Sequence, residues 1–414
     1  MYRRNYPDDP GLHNMNDRHT RTTYRRNATF LERVGNSCAG ILIGIVLLVV
    51  ASGLLFWNEG RAVQTAQSLD EGLASVVPLD NTNVVFDHNH GKLVHLTGKL
   101  KTERVLTDPT YDIAVHSVHL RRTVEMFQWV EHQSKTEHNE GSHTRTETTY
   151  SYSQEWRSDL VRSAQFDSEF SHRNPTSMAV KSKTQTAHLV NVGQFQLSPG
   201  LVGKISNFRP VEAELIIKPN DPSIHVLDGL FIHSLNPTNP QAGDLRIKFE
   251  YAGLSGQSMM GDADSVSIVA RQLGSELKGY NTIAGDTLEL LYEGALSAKA
   301  MFAKEHSTNT VMTWAIRFGG WLLMFVGFGC LTSIVSTLVD WLPIIRELVA
   351  AGVTVLNLSM SISLSLTVIA IGWIRYRPLL GISLLALAAT PFILSKFRRQ
   401  HLGTARYSLY WMCV

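Results

Sequence analysis

The sequence of 414 residues is poor in cysteine, and long parts of it carry no charge. Its three cysteines are Cys38, Cys330 and Cys413, and none falls between residues 58 and 311. A disulfide framework is therefore excluded for that segment, whichever compartment it occupies. Asp, Glu, Lys, Arg and His are missing from four blocks: Cys38–Trp57, Phe318–Val339, Leu348–Ile374 and Pro378–Ser395, of 20, 22, 27 and 18 residues. A hydrocarbon core of about 30 Å takes roughly 20 helical residues. These runs exclude a soluble cytosolic enzyme and predict a multi-pass α-helical membrane protein with four spans. The charged share of 18% lies below the roughly 25% of soluble domains for the same reason.

Reactive motifs are lacking too. Gly200-Leu201-Val202-Gly203-Lys204 is too short for a phosphate loop and has no following Ser or Thr. Asp262-Ala263-Asp264-Ser265 has neither the Gly nor the distal Glu of a calcium loop. Gly253-Leu254-Ser255-Gly256 misses the nucleophile-elbow spacing by one residue. Histidine is frequent between 88 and 143 (His88, His90, His95, His116, His119, His132, His138 and His143), with no HExxH and no Cys–His pairing. We read these as surface histidines on strands and a polar loop. No catalytic residue, cofactor or metal is expected, and no direct nucleic-acid binding.

Charge is divided along the chain. Residues 1–37 have seven Arg against four acids, and 396–414 have four basic residues and no acid, giving +3 and +4. Segment 58–317 has 24 basic and 30 acidic residues, giving −6. Basic tails favour the cytosolic or nucleoplasmic face, so both termini are expected there and residues 58–311 in a lumen. The domains then read as follows. A basic disordered tail (1–37) leads into a first span (38–57), taken as an uncleaved signal anchor. A lumenal α+β domain, richer in strand than helix, covers 58–311. A second span (312–339), a nucleoplasmic loop (340–347), a third span (348–374), a lumenal turn (375–377) and a fourth span (378–395) precede the basic tail 396–414. Asn-X-Ser/Thr acceptors occur only at Asn27 and Asn357, so the acidic domain has no glycan site. With no disulfide either, it suits a reticulum or nuclear-envelope resident better than a cell-surface ectodomain.

Periodicity sketches the middle segment. Val63, Ala66, Leu69 and Leu73 mark an amphipathic helix over 61–76, and 295–305 reads as a helix returning to the membrane. Strands are predicted over 93–100, 123–131, 146–156, 187–192, 245–251 and 265–271. Gly91-Lys92-Leu93-Val94 resembles Gly243-Asp244-Leu245-Arg246, a weak self-similarity. Within the spans, Gly40 and Gly44 form a GxxxG, and Ser359 with Ser363, like Ser361 with Ser365, stand one turn apart. Small residues at this spacing let helices pack closely.

Several longer words of the sequence stand out together. They include Phe30-Leu31-Glu32-Arg33, Asn58-Glu59-Gly60-Arg61-Ala62 and Asp70-Glu71-Gly72-Leu73. They continue in Leu120 to Glu131, a stretch containing Arg121, Arg122, Glu125 and Trp129, and in Glu155-Trp156-Arg157-Ser158 and Asn174-Pro175. Gly243-Asp244-Leu245-Arg246, Tyr251 to Gly256, Val269-Ala270-Arg271-Gln272, Val339-Asp340-Trp341 and Tyr376-Arg377-Pro378-Leu379 complete the set. Together these words resemble the LUMA family, also called transmembrane protein 43, over roughly residues 30–395, leaving out the first 29 residues and the tail after Arg399. The resemblance implies a four-spanning protein of the endoplasmic reticulum and inner nuclear membrane, with its large domain in the lumen. It also implies self-association, partnership with lamins and emerin, and a scaffold role that organises complexes and maintains nuclear-envelope structure. A membrane channel or transporter is the rival class, disfavoured because the four blocks hold no ionisable group.

Overall fold

The computed structural model describes residues 18–27, 29–140, 142–212, 221–256, 258, 260–339, 343–379, 382 and 383. The chain divides into two compact units. One holds residues 1–27, 75–280 and 287–301, and the other holds 28–74, 281–286 and 302–414.

The first unit is built mainly from two sheets, with a small antiparallel pair, Leu106–Asp108 and Ile113–Val115, beside them in sequence. The strands of the larger one are β1 (Arg18–Arg26), β3 (Ser117–Glu140), β4 (His143–Arg157), β5 (Lys183–Thr186), β8 (Ile224–Leu227), β9 (Leu230–His233) and β10 (Leu245–Leu254). Its order is β1-β4-β3-β10-β9-β8; β5 pairs with β3, and the short strand Arg209–Pro210 pairs with β10. The smaller sheet has β2 (Leu93–Thr102), β6 (Val190–Val192), β7 (Phe195–Leu197), β11 (Ser265–Leu273), β12 (Glu276–Lys278) and β13 (Leu290–Glu293). It runs β13-β11-β12-β7-β6-β2, with Val77–Pro78 added beyond β2. Because β11 also pairs with β2, this sheet closes on itself and leaves few open edges.

Alternating apolar residues explain both cores. Val94, Leu96 and Leu100 of β2 point the same way as Val266, Ile268 and Ala270 of β11, and all are buried with Phe195 and Leu277. Leu120, Val124 and Met126 of β3 face Leu245, Ile247 and Phe249 of β10 around Tyr111 and Phe231. There the Tyr111 hydroxyl lies 3.1 Å from His233 Nε2. Burial pushes Tyr111 up to about 12 and His233 down, so both stay neutral. The two resembling sequence words both become ten-residue strands, β2 and β10, preceded by the left-handed glycines Gly91 and Gly243.

Most predicted strands appear, and five run further. The largest extension is β3, which continues to Glu140 and pairs with β4 through fifteen register positions. Its last nine residues are exposed. The tail differs from expectation more sharply. Arg18–Arg26, expected to be disordered, is a strand paired antiparallel with Ser151 to His143 of β4. Its Thr20, Thr22, Thr23 and Tyr24 suit a pleated surface. Its basic side chains also find an acid, since Arg21 and His19 both reach Asp167.

The second unit holds three long helices: α1 (Phe30–Ser75), α2 (Ala298–Val339, whose first residues belong to the other unit) and α3 (Pro343–Tyr376). Each is long and apolar enough to cross a membrane. The amphipathic helix predicted over 61–76 is the continuation of α1, and the one over 295–305 is the start of α2. Helix α3 begins at Pro343, inside the stretch expected to be a loop. The fourth expected span, Pro378–Ser395, lies mostly outside the described residues, as do Asp340 and Trp341.

Candidate functional site

Three uncharged runs end at Trp57 on α1, begin at Phe318 on α2 and end at Ile374 on α3. Directly at these limits the helices are tied by polar side chains. Glu59 is 2% exposed. Arg317 donates to it twice, Nε to Oε1 and Nη2 to Oε2, both at 2.7 Å. Trp373 Nε1 donates to Glu59 Oε2, also at 2.7 Å. One carboxylate thus joins all three helices. A buried charge needs a partner and further hydrogen bonds, and Glu59 has both.

Beside it on α1, a network centred on the Arg61 guanidinium continues the tie. Asn58, fully buried, donates to the Thr313 carbonyl at 3.2 Å. Arg61 donates to Asn309 Oδ1, Asn58 Oδ1 and Thr313 Oγ1 at 3.1, 3.3 and 3.1 Å. Asn309 in turn donates to the Ala62 carbonyl at 2.9 Å. Further out, His306 lies 3.2 Å from Asp70. Glycine is required where α3 comes closest. A Cβ on Gly60 would sit 2.7 Å from the Tyr376 ring, and one on Gly372 would sit 3.0 Å from Glu59 Cβ.

Beside the ion pair is a cavity of about 320 Å³. Its lining comes from Glu59 and Ala62 of α1, His306, Thr310, Trp314 and Arg317 of α2, Trp373 of α3, and Arg377 just beyond. The Arg317 guanidinium lies 4.9 Å from the Trp314 ring centre and 5.5 Å from that of Trp373.

Deeper in the bundle the helices pack through small residues. At Gly44 a Cβ would meet the Gly327 carbonyl at 2.7 Å, so the α1 and α2 backbones touch there. Gly40 has looser surroundings, with Ser333 Oγ at 3.5 Å. Asn357 donates to Thr332 Oγ1 at 2.8 Å, and Ser361 and Ser365 continue the buried stripe of α3. Ser359 and Ser363, singled out above for packing, are exposed on another face of α3. They stand two residues from Asn357 and Ser361, about 200° around the helix.

The expected site residues thus fall into two groups. Asn58, Glu59, Gly60 and Arg61 of α1 meet the other two helices at the helix ends, where Arg377 lines the cavity and Pro378 follows it just beyond α3. Arg121, Arg122, Glu125, Trp129, Glu155 and Trp156 lie on the larger sheet. There Arg121 grips Glu250, and Arg122 pairs with Asp108 at 2.7 Å. Arg246 bonds Glu125 and lies 4.8 Å from the Trp156 ring centre. Asn174 bonds both backbone groups of Trp129. These contacts lock strands together. The histidines are dispersed: His95 contacts the Leu296 carbonyl, His119 contacts Thr186 and Val202, and His132 contacts Ser153 and Glu155. Arg317 and Trp373 escaped the sequence reading. Arg317 stands one residue outside an uncharged block, and Trp373 looks like any interfacial tryptophan.

A family model described as transmembrane protein 43 matches residues 126–378. Transmembrane protein 43 of Rattus norvegicus is 43% identical over 383 residues, 92% of this chain and 95% of that protein. The Homo sapiens protein of that name is 42% identical over 372 residues, covering 89% and 92%. The Drosophila melanogaster homolog is 34% identical over 363 residues, covering 85% and 93%. No solved structure matches the chain.

Proposed function

The chain belongs to the transmembrane protein 43 family, and on that premise we propose that it is a non-enzymatic membrane scaffold of the endoplasmic reticulum and inner nuclear membrane. In this reading it organises protein complexes that maintain nuclear-envelope structure, with residues 58–311 in the lumen. Self-association, lamins and emerin are the partners that the resemblance supports.

The observation that carries the reading is the outer part of the β3–β4 ribbon. Beyond Gln133 its strands have polar residues on both faces and no core of their own. A two-stranded ribbon of this kind is marginal alone and gains by docking. The edge of β4 accepts an added strand, as the nine-residue pairing with β1 demonstrates. Strand addition is a general mode of protein recognition. The rival class, a channel or transporter, looks for ionisable groups among the helices. Glu59 and Arg317 are such groups, but their charges are committed to each other.

The test is to replace Ser134–Thr149 by a two-residue Asn-Gly turn, which keeps the inner register from Gln133 to Tyr150. The shortened protein is expected to insert in the same membranes and to lose self-association, read as co-purification of two differently tagged copies. Unchanged recovery of the second copy overturns the reading. A selective current from the purified full chain in a planar bilayer favours the channel.

A further inference from the structure

We propose that the cavity beside the Glu59–Arg317 pair is a binding site for the head group of an acidic phospholipid, with its phosphate between Arg317 and Arg377. The inference is independent of any protein partner.

Three observations converge on it. The first is position. The cavity opens where the uncharged runs of α1, α2 and α3 all stop, at Trp57, Phe318 and Ile374. That level is the boundary between hydrocarbon and head groups. Trp314 and Trp373 in its wall are the side chains that favour this layer.

The second is charge. Arg317 and Arg377 line the cavity against one carboxylate, Glu59, which leaves an excess of one positive charge. His306 is matched by Asp70. Arg377 is exposed, and among the described residues no acid pairs with it. The phosphate of an acidic head group supplies the missing negative charge.

The third is donor geometry. Arg317 uses Nε and Nη2 on Glu59. Its fork has five N–H donors, so Nη1 is left for the cavity. Glu59 and Trp373 hold that fork in place before any ligand arrives, which lowers the ordering cost of binding. A volume of about 320 Å³ takes a head group, while the acyl chains lie along the apolar helix faces.

Native mass spectrometry of the full chain, extracted from mixed micelles of phosphatidic acid and phosphatidylcholine, tests the site. The expected result is selective retention of phosphatidic acid by the wild type. Arg377→Gln should weaken that retention about tenfold, as loss of a charge-assisted contact implies. Arg375→Gln, a neighbouring arginine that does not line the cavity, should not. Ala62→Leu fills the space without touching a charge and should lower retention as well. Equal retention of both lipids, or equal losses in Arg377→Gln and Arg375→Gln, overturns the proposal. So does thermal protection by inorganic phosphate in lipid-free micelles that equals protection by phosphatidic acid, because the cavity would then take the free anion. A melting temperature measured for each variant separates lost binding from lost folding.

Discussion

Glu59 cannot be read from its own position. Its neighbours in sequence mark it only as the first charge after a hydrophobic run, which is how most membrane helices end. What makes it distinctive is that Arg317 and Trp373, 258 and 314 residues later, both reach it at 2.7 Å. Removing one member of a buried pair strands the other and costs about 3–5 kcal/mol, whereas removing both is far milder. Arg317→Leu alone should therefore lower the melting temperature of the detergent-solubilised protein steeply. The Glu59→Leu/Arg317→Leu double variant should recover most of the loss. Calorimetry or a thiol-dye melt reads the difference. A double variant as unstable as the single one would show that the pair fastens the bundle by attraction rather than by mutual neutralisation.

At the scale of elements, alternation and length were legible and partners were not. The predicted strands over 93–100 and 245–251 are the inner parts of β2 and β10, because one buried face imposes a period of two. The outer half of β3 has no buried face, so its sequence carries no pattern, and β1 was missed for the same reason. Helix α3 shows a different limit. Two serine pairs share the same one-turn spacing, and only the register against α2, fixed by Asn357 and Thr332, decides which pair is inside. Gly40 and Gly44 look equivalent in sequence and are not. A methyl at Gly44 meets a backbone carbonyl, while one at Gly40 makes ordinary contact. Gly44→Ala should cost about 1–3 kcal/mol of bundle stability with the oligomer size unchanged, and Gly40→Ala should cost much less. Melting and size-exclusion profiles of the two variants check this. A smaller oligomer in Gly44→Ala would place that face between subunits.

For the whole molecule, the structure sets two rules against each other. Helix α1 starts four residues after β1, so an α1 that crosses a bilayer separates β1 from everything beyond Trp57. The β1–β4 pairing keeps both on one side, because strands of Arg, Thr, Glu and His cannot lie in hydrocarbon. A 20-residue uncharged run inserts by a far larger free energy than nine exposed strand pairs contribute. If α1 crosses, the β4 edge from His143 to Ser151 is open to another strand. Two acceptor variants test this. Gly141→Thr turns Asn139-Glu140-Gly141 into a glycosylation acceptor, and Asn16→Thr does the same for Asn14-Met15-Asn16. Glycosylation is expected at Asn139 and not at Asn14. A glycan at both positions would show that β1 stays with β4 and that α1 does not cross.

Helix α1 runs unbroken for 46 residues, about 69 Å, while the hydrocarbon takes about 30 Å. Some 18 residues, roughly 27 Å, therefore stand clear of the bilayer beyond Trp57 as a stiff rod. Helix α2 runs beside it there, cross-braced through Arg61–Asn309 and Asp70–His306. A membrane helix answers a change in bilayer thickness by changing its tilt. With a rod this long, a tilt of about 10° swings the far end sideways by roughly 5 Å. The paired helices are a lever whose fulcrum is the Glu59 girdle, and thinning or stretching of the membrane becomes a displacement at its tip.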